Sequence, residues 1–224
     1  MKFNKVLKHG LISGKEISWV GIVNRHPVVK VINPLRFDSD KSEDLDFIEE
    51  GEWASYEMYM LPSDISKYFG QELTTVEIDE ICSDYSHGSS LPDHAFTFRE
   101  DGSSDIMGIR VLHCEWKSLK AFKFVRGRDL ETGEEYEDIV DETYQLNKEV
   151  GDIEIRTEWI PTKFEGYKIG KDKYAYLREV PGQHKDLDNL YSCKLSYIGA
   201  CYDNLNSETT SIVDRMKYYQ YMYN

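Results

Sequence analysis

The sequence is poor in basic residues and lacks the long apolar runs of membrane proteins. Its 27 Lys and Arg stand against 41 Asp and Glu, which gives a net charge of −14. This balance argues against a tight grip on phosphate backbones, because such binding needs Lys and Arg to neutralise the phosphates. No apolar run approaches the ~20 residues needed to span a bilayer, and no secretory signal precedes the first predicted strands. The sequence therefore predicts neither a nucleic-acid clamp nor a membrane protein.

Cysteine pairs and catalytic motifs are also missing. The four cysteines form no CxxC pair, which predicts free thiols in a reducing compartment. No GxSxG, GxxxxGK[ST] or GxGxxG motif is present, so a nucleophile elbow, a P-loop and a dinucleotide fingerprint are all excluded. Carboxylates are plentiful, but no pair stands out for acid–base work. We therefore predict no catalytic residue and no bound cofactor, and we expect the protein not to be an enzyme.

Apolar patterning predicts an α+β fold in which strands dominate. Residues 16–23 and 27–32 read as a β-hairpin joined by the loop Asn24-Arg25-His26. A second, tight hairpin is predicted around Lys171-Asp172. Further strands are predicted at 53–60, 106–126 (one long strand or a bent pair), 134–146, 153–160 and 193–202.

Two short helices are predicted in the first half of the chain. Residues 62–70 begin at Ser63 as N-cap and end at Gly70. Residues 74–85 begin with a capping box, Thr74 followed by Glu77. Residues 86–94 have the composition of a loop.

Residues 211–224, SIVDRMKYYQYMYN, predict an amphipathic helix. Ser211 stands at the N-cap position and Asp214 lies in the first turn. One helical face carries Ile212, Met216, Tyr219 and Tyr223. No Gly or Pro closes the helix, so it either docks on its own domain or belongs to something longer. We expect three regions: a hairpin-plus-helix region at 1–105, a mainly antiparallel β region at 106–205 and the start of a helix at 206–224.

The acidic segment 38–52 is the strongest metal candidate. Oxygen-bearing side chains occupy positions 1, 3, 5, 7, 9 and 12 of an EF-hand calcium loop, namely Asp38, Asp40, Ser42, Asp44, Asp46 and Glu49. However, Glu43 occupies position 6, where the turn needs Gly, and Pro34 and Gly51 stand where helices should flank the loop. The alternative is a solvated acidic loop. Calorimetric titration with calcium and magnesium separates the two, since no binding at millimolar metal would remove the metal site.

Histidines and cysteines suggest a second metal hypothesis. His87, His94 and the pair His113-Cys114 could ligate zinc, but their spacing matches no compact zinc module. Neighbouring residues in a strand point to opposite faces, so the pair would not converge on one ion. The alternative is a buried Cys114 beside a surface His113.

One locally basic stretch, residues 115–124, interleaves lysines with aromatic residues. Lys117, Lys120 and Lys123 alternate with Trp116, Phe122 and Phe124. Such interleaving can bind single strands by stacking. Alternation in a strand, with aromatics inward and lysines outward, explains the same pattern.

Taken in order, six segments resemble portal proteins of tailed bacteriophages from the crAss-like group. They span nearly the whole chain, and the resemblance lies in their ordered series, since none is a catalytic fingerprint. The segments are LISGKEISWVGIVNRHPVVKVINPLRFDSDKSEDLDFIEEGEW, VLHCEWKSLKAFKF, DETYQL, GDIEIRTEWIPTKFEGYKIG, SCKLSYIGACY and SIVDRMKYYQYMYN.

The resemblance implies a structural role in a virion. Portal proteins form a ring, commonly of twelve subunits, at one capsid vertex, and DNA is packaged and ejected through its channel. The implied partners are a second copy of the chain, the terminase motor, head-completion or tail proteins, and double-stranded DNA that passes without sequence-specific binding. The implied location is the virion, and the host cytoplasm during assembly. Family members are several times longer, so residues 206–224 are expected to begin a helix that continues in full-length relatives. The alternatives are a small acidic calcium-binding module and a generic protein-interaction domain.

Overall fold

The computed structural model describes residues 2–23, 26–42, 45, 47–86, 95–100, 103–183, 189–202 and 209–223. These residues form an α+β fold dominated by antiparallel strands, which confirms the predicted fold class. Four helices occur among them. They are α1 (Lys2–Ser13), α2 (Pro62–Phe69), α3 (Thr75–Ser86) and α4 (Ile212–Tyr223).

The strands build two sheets. They are β1 (Lys15–Val23), β2 (His26–Val31), β3 (Phe37–Ser39), β4 (Trp53–Met60), β5 (Ala95–Glu100), β6 (Ser103–Arg128), β7 (Glu135–Val140), β8 (Asp152–Ile169), β9 (Lys173–Glu179) and β10 (Tyr197–Cys201). One sheet has the order β10-β1-β2. The other has the order β3-β4-β6-β8-β9, and both β5 and β7 pair with β6.

Both predicted hairpins are confirmed, with one correction. In the first, Val23 pairs with His26, so His26 begins β2 and is not part of the loop. Asn24 and Arg25 lie outside the described residues. In the second, Ile169 pairs with Lys173. Gly170 adopts φ +60° in that turn, a left-handed conformation that glycine enters at no steric cost.

The remaining predicted strands exist, but their lengths differ. The segment predicted at 106–126 is one continuous strand, β6, and the segment predicted at 153–160 extends to the second hairpin as β8. The segment predicted at 134–146 ends at Val140, and the one predicted at 193–202 begins only at Tyr197. The alternation of apolar and polar residues predicts where a strand lies but not where it ends. The ends depend on how far an adjacent strand is available for hydrogen bonding.

The predicted capping box of α3 is confirmed. For α2 the predicted end at Gly70 is confirmed, whereas the predicted N-cap is wrong. The backbone N–H of Thr74 donates to Glu77 Oε2 at 2.9 Å, and the Glu77 N–H donates back to Thr74 Oγ1 at 3.3 Å, which is the predicted capping box. In α2 the N-cap is Leu61 and not Ser63, because Pro62 takes the first helical position, where its missing N–H costs nothing. Gly70 ends this helix with φ −64°, a conformation open to any residue. The predicted loop at 86–94 lies almost entirely outside the described residues.

Helix α1 is not predicted by the patterns above. Its middle contains Gly10, which lowers helix propensity. The ring of Tyr202 lies 3.2 Å from where a Cβ of Gly10 would be, so packing favours glycine there. The contact between Gly10 and Tyr202 thus supports α1, although the helix propensity of its own residues does not.

The described chain divides into two compact units that do not follow chain order. The first comprises 1–116, 163–183 and 194–224, and the second comprises 117–162 and 184–193. Strands β6 and β8 contribute residues to both. One core cluster of the first unit joins α2 and α3 to β6, β8 and β9, and a second joins β1, β3, β4 and β10. The division at 105 and 205 expected from the sequence stays a prediction.

A nearly buried carboxylate organises the second unit. Asp152 accepts hydrogen bonds from the Tyr136 hydroxyl at 2.7 Å, the Tyr144 hydroxyl at 2.6 Å and the Asn147 N–H at 2.9 Å. These bonds, led by that of Tyr144, lower the pKa of Asp152. The bond to Asp152 in turn raises the pKa of Tyr136 to about 12. One side chain therefore ties β7, the following turns and β8 together.

The second unit is expected to lose stability in acid through Asp152. Because the folded-state pKa lies below the unfolded value, the stabilisation is present above the unfolded pKa and is lost as the pH falls through the folded one. D152N keeps the shape but replaces an accepting oxygen with an NH2 donor, so it should lower the urea midpoint at neutral pH and flatten the acid dependence. Hydrogen exchange of residues 135–152, followed against urea concentration and against pH, measures the urea midpoint and the acid dependence. The matched control is D138N, since Asp138 is exposed and its carboxylate bonds only the neighbouring Ile139 N–H among the described residues. An unchanged acid slope in D152N would contradict the assignment.

Candidate functional site

The first unit contains an aromatic cleft of about 490 Å³. It lies among the β1–β2 hairpin, α2 and the strands β4, β6, β8, β9 and β10. Its aromatic walls are Trp19, Tyr56, Phe69, Tyr167, Tyr176 and Tyr197. The volume falls in the range of ligand pockets, and such pockets combine apolar walls with a few convergent polar groups.

His113 is one of the polar groups that line the aromatic cleft. It lies on β6, is only 3% exposed and stacks on Tyr167 with 4.4 Å between the ring centres. Its Nδ1 lies 2.6 Å from the Tyr197 hydroxyl. Burial raises the pKa of Tyr197 well above its usual value, so this hydroxyl keeps its proton. When Tyr197 donates to Nδ1, the hydrogen of the neutral imidazole resides on Nε2.

The Nε2 atom of His113 is buried and has no hydrogen-bond partner among the described residues, and it is a donor when Tyr197 donates to Nδ1. It faces Glu165 Oε2 at 3.8 Å, a distance too long for a hydrogen bond. The other oxygen of Glu165 accepts from Arg178 Nε at 2.9 Å. Burial raises the pKa of Glu165, but the nearby His113 and Arg178 outweigh burial and lower it. The cleft thus presents a donor and a carboxylate side by side without a bond between them.

A second buried carboxylate, Glu115, supports one wall of the aromatic cleft. Its side chain is fully buried. It accepts from the indole N–H of Trp19 at 2.9 Å and from the Ser196 N–H at 2.8 Å. Glu115 therefore holds Trp19 in position and ties β6 to the segment that leads into β10.

The acidic segment uses its described carboxylates within the fold. Asp40 accepts from the N–H groups of Ser42 at 3.2 Å and Glu52 at 3.1 Å. Glu49 accepts from the Gly199 N–H at 3.2 Å. These carboxylates stabilise local turns and the approach of β10.

The rest of the calcium hypothesis stays a prediction. Asp38 lies in β3 and pairs with Lys41 at 3.5 Å. Asp44 and Asp46 lie outside the described residues. Within the described ranges, no group of three or more His, Cys, Asp or Glu is placed to hold a metal ion.

The expectation of a surface His113 and a buried Cys114 is wrong. His113 is buried and Cys114 is half-buried. The inward face of β6 carries the odd-numbered residues, beginning with Ile109 and Val111, which puts His113 and Glu115 on the core side. This alternation could have revealed that His113 is buried. However, His113 and Glu115 are polar, and polar residues in a strand are usually expected to face solvent. His87 and His94 lie outside the described residues.

The basic stretch at 115–124 follows the alternation only in part. Phe124 is buried, as expected. Lys120, however, lies over the ring of Phe122 with its Nζ 5.4 Å from the ring centre, because both residues share one face of β6. The aliphatic stem of a lysine can cover an aromatic ring while its charge stays in water.

Helix α4 has the predicted N-cap and no buried residue. The Asp214 N–H donates to Ser211 Oγ at 3.2 Å, and Ser211 Oγ donates to the Leu11 carbonyl at 3.1 Å, which attaches the start of α4 to α1. Beyond this attachment the predicted stripe is open to solvent, with Tyr219 71% and Tyr223 95% exposed. No helix within the described ranges is long and apolar enough to cross a membrane.

Comparison with known proteins points to bacteriophages. No family model matches the chain. The chain is similar to the portal protein of Bacteroides phage crAss001, with 29% identity over an alignment of 260 positions that covers 99% of this chain and 32% of that protein. It thus spans about a third of the relative's length. The likeness supports a phage portal-like structural role.

Proposed function

We propose that the chain is part of a virion structural subunit that forms a ring at the capsid vertex, through which DNA is packaged and ejected. The observation that carries the proposal is the similarity to a phage portal protein along 99% of this chain. Such a subunit performs no covalent chemistry. Its partners would be further copies, the terminase motor and head-completion or tail proteins. It would reside in the virion, after assembly in the host cytoplasm.

The charge of the chain supports this function. A ring that lets DNA slide must not hold it, and an acidic surface repels phosphates. With a net charge of −14, the chain offers few of the cations that retain DNA.

The exposed face of α4 also supports assembly. Tyr and Met are enriched at interface cores, and α4 presents both types to solvent. We further propose that α4 corresponds to the beginning of a helix that continues in longer relatives.

Electron microscopy and mass photometry of the purified chain test the proposal. We expect ring-shaped particles many times the 26.2 kDa mass of one chain. Added double-stranded DNA should show no sequence-dependent binding. Monomers at every protein and salt concentration would count against ring formation by this chain.

A further inference from the structure

We propose that α4 of a second copy of this chain docks in the aromatic cleft and places the Tyr219 hydroxyl between His113 and Glu165. The inference rests on the proposed self-association. It deepens that proposal by naming the two surfaces that meet.

The aromatic cleft recognises a hydroxyl by its chemistry. With Tyr197 donating to Nδ1, His113 Nε2 offers a hydrogen and Glu165 Oε2 accepts one, and the two atoms lie 3.8 Å apart. A hydroxyl can accept from one group and donate to the other at the same time. Because a buried donor without a partner is costly, satisfying Nε2 favours binding. The surrounding aromatic walls suit the ring that carries a tyrosine hydroxyl.

The rim of the aromatic cleft can open toward His113. Ile22, Tyr68 and the Arg178 side chain all line the cleft and are about half exposed. Side-chain rotations of this kind are common when proteins associate. We expect such rotations to make the buried Nε2 reachable without movement of the strands.

Helix α4 supplies the matching face. Met216, Tyr219 and Tyr223 lie at i, i+3 and i+7, the spacing of anchors in a helix-in-groove complex. All three side chains are mostly exposed. Tyr219 lies between the other two, and the residue that contributes most to binding usually lies near the centre of an interface.

The contact joins two different surfaces, so every copy offers both. Such head-to-tail contacts close into rings when the rotation permits and otherwise extend into filaments. A helix-to-cleft contact therefore has the symmetry that the proposed ring requires.

Mixing two blocked variants tests the pairing. Y219A/Y223A removes the helix anchors, and I22E places a charge at the cleft rim on a half-exposed side chain. Each variant alone should remain monomeric in sedimentation experiments. An equimolar mixture should form a 1:1 heterodimer, because one intact helix and one intact cleft remain. Y221A is the matched control on the opposite face of α4 and should associate like the wild type.

Y219F isolates the hydroxyl and should weaken self-association about tenfold, as loss of a hydrogen bond to a charged group predicts. Circular dichroism confirms folding of each variant, and Y68E replaces I22E if the latter unfolds. If each blocked variant still assembles like the wild type, or if a mixture of the two forms no heterodimer, the inference is overturned and the proposed ring is left standing. A wild type that stays monomeric throughout would contradict both.

Discussion

Replacement of Glu115 by alanine is expected to lower the free energy of unfolding of the first unit by about 3 kcal/mol. The side chain is fully buried and accepts from the Trp19 indole and the Ser196 N–H. Its removal leaves the buried Ser196 N–H and the partly buried Trp19 indole N–H without their acceptor. Urea denaturation followed by tryptophan fluorescence measures the loss.

Two variants give this prediction its controls. E115Q keeps the shape and one accepting oxygen, so it should be destabilised less than E115A. E72A changes an exposed glutamate of the same unit and should alter the unfolding free energy by less than about 0.5 kcal/mol. If the free energy of unfolding falls no more in E115A than in E72A, the two hydrogen bonds of Glu115 do not stabilise the fold.

Replacement of Gly199 by alanine is expected to cost about 3 kcal/mol, at the upper end of overpacking effects. Gly199 pairs with Ile17 between β10 and β1. A Cβ at this position would lie 1.9 Å from the Glu16 carbonyl oxygen and 3.0 Å from its carbon. Because these are backbone atoms, the strands must separate to admit the methyl group.

Hydrogen exchange of residues 197–201 localises this effect. We expect rapid exchange there in G199A, together with a lower urea midpoint. G170A is the control, since a Cβ at Gly170 meets no atom within 4 Å and only the φ of +60° resists it. Its cost should be about 1 kcal/mol. Unchanged protection of β10 in G199A would show that the strands tolerate the methyl group.

Local patterns predict the elements of this protein better than their arrangement. The hairpins, the capping box at Thr74 and the N-cap at Ser211 depend on a few neighbouring residues, and the structure confirms them. The burial of His113 depends on which face of β6 meets the core, and a strand's own sequence does not decide this when polar residues occupy the inward face. The N-cap of α2 was misplaced because Pro62 fixes the start of that helix.

The aromatic cleft could not be predicted for a related reason. His113, Glu165 and Tyr197 come from three strands that are far apart in the sequence. The notable feature is a buried donor facing a carboxylate, and it exists only once these strands are assembled. Conversely, the exposed stripe of α4 is visible in the sequence, because an amphipathic helix carries its face locally.

The exposed edge of the three-stranded sheet has a consequence for solubility. Strand β2 forms this edge, where an unprotected strand invites backbone pairing with another molecule. Pro27 has no amide hydrogen to give, the ammonium of Lys2 already bonds the Val29 carbonyl at 2.6 Å, and the charged Lys30 is exposed. Amyloid-like stacking along β2 is therefore disfavoured, and the chain can be concentrated without joining edge to edge through this strand.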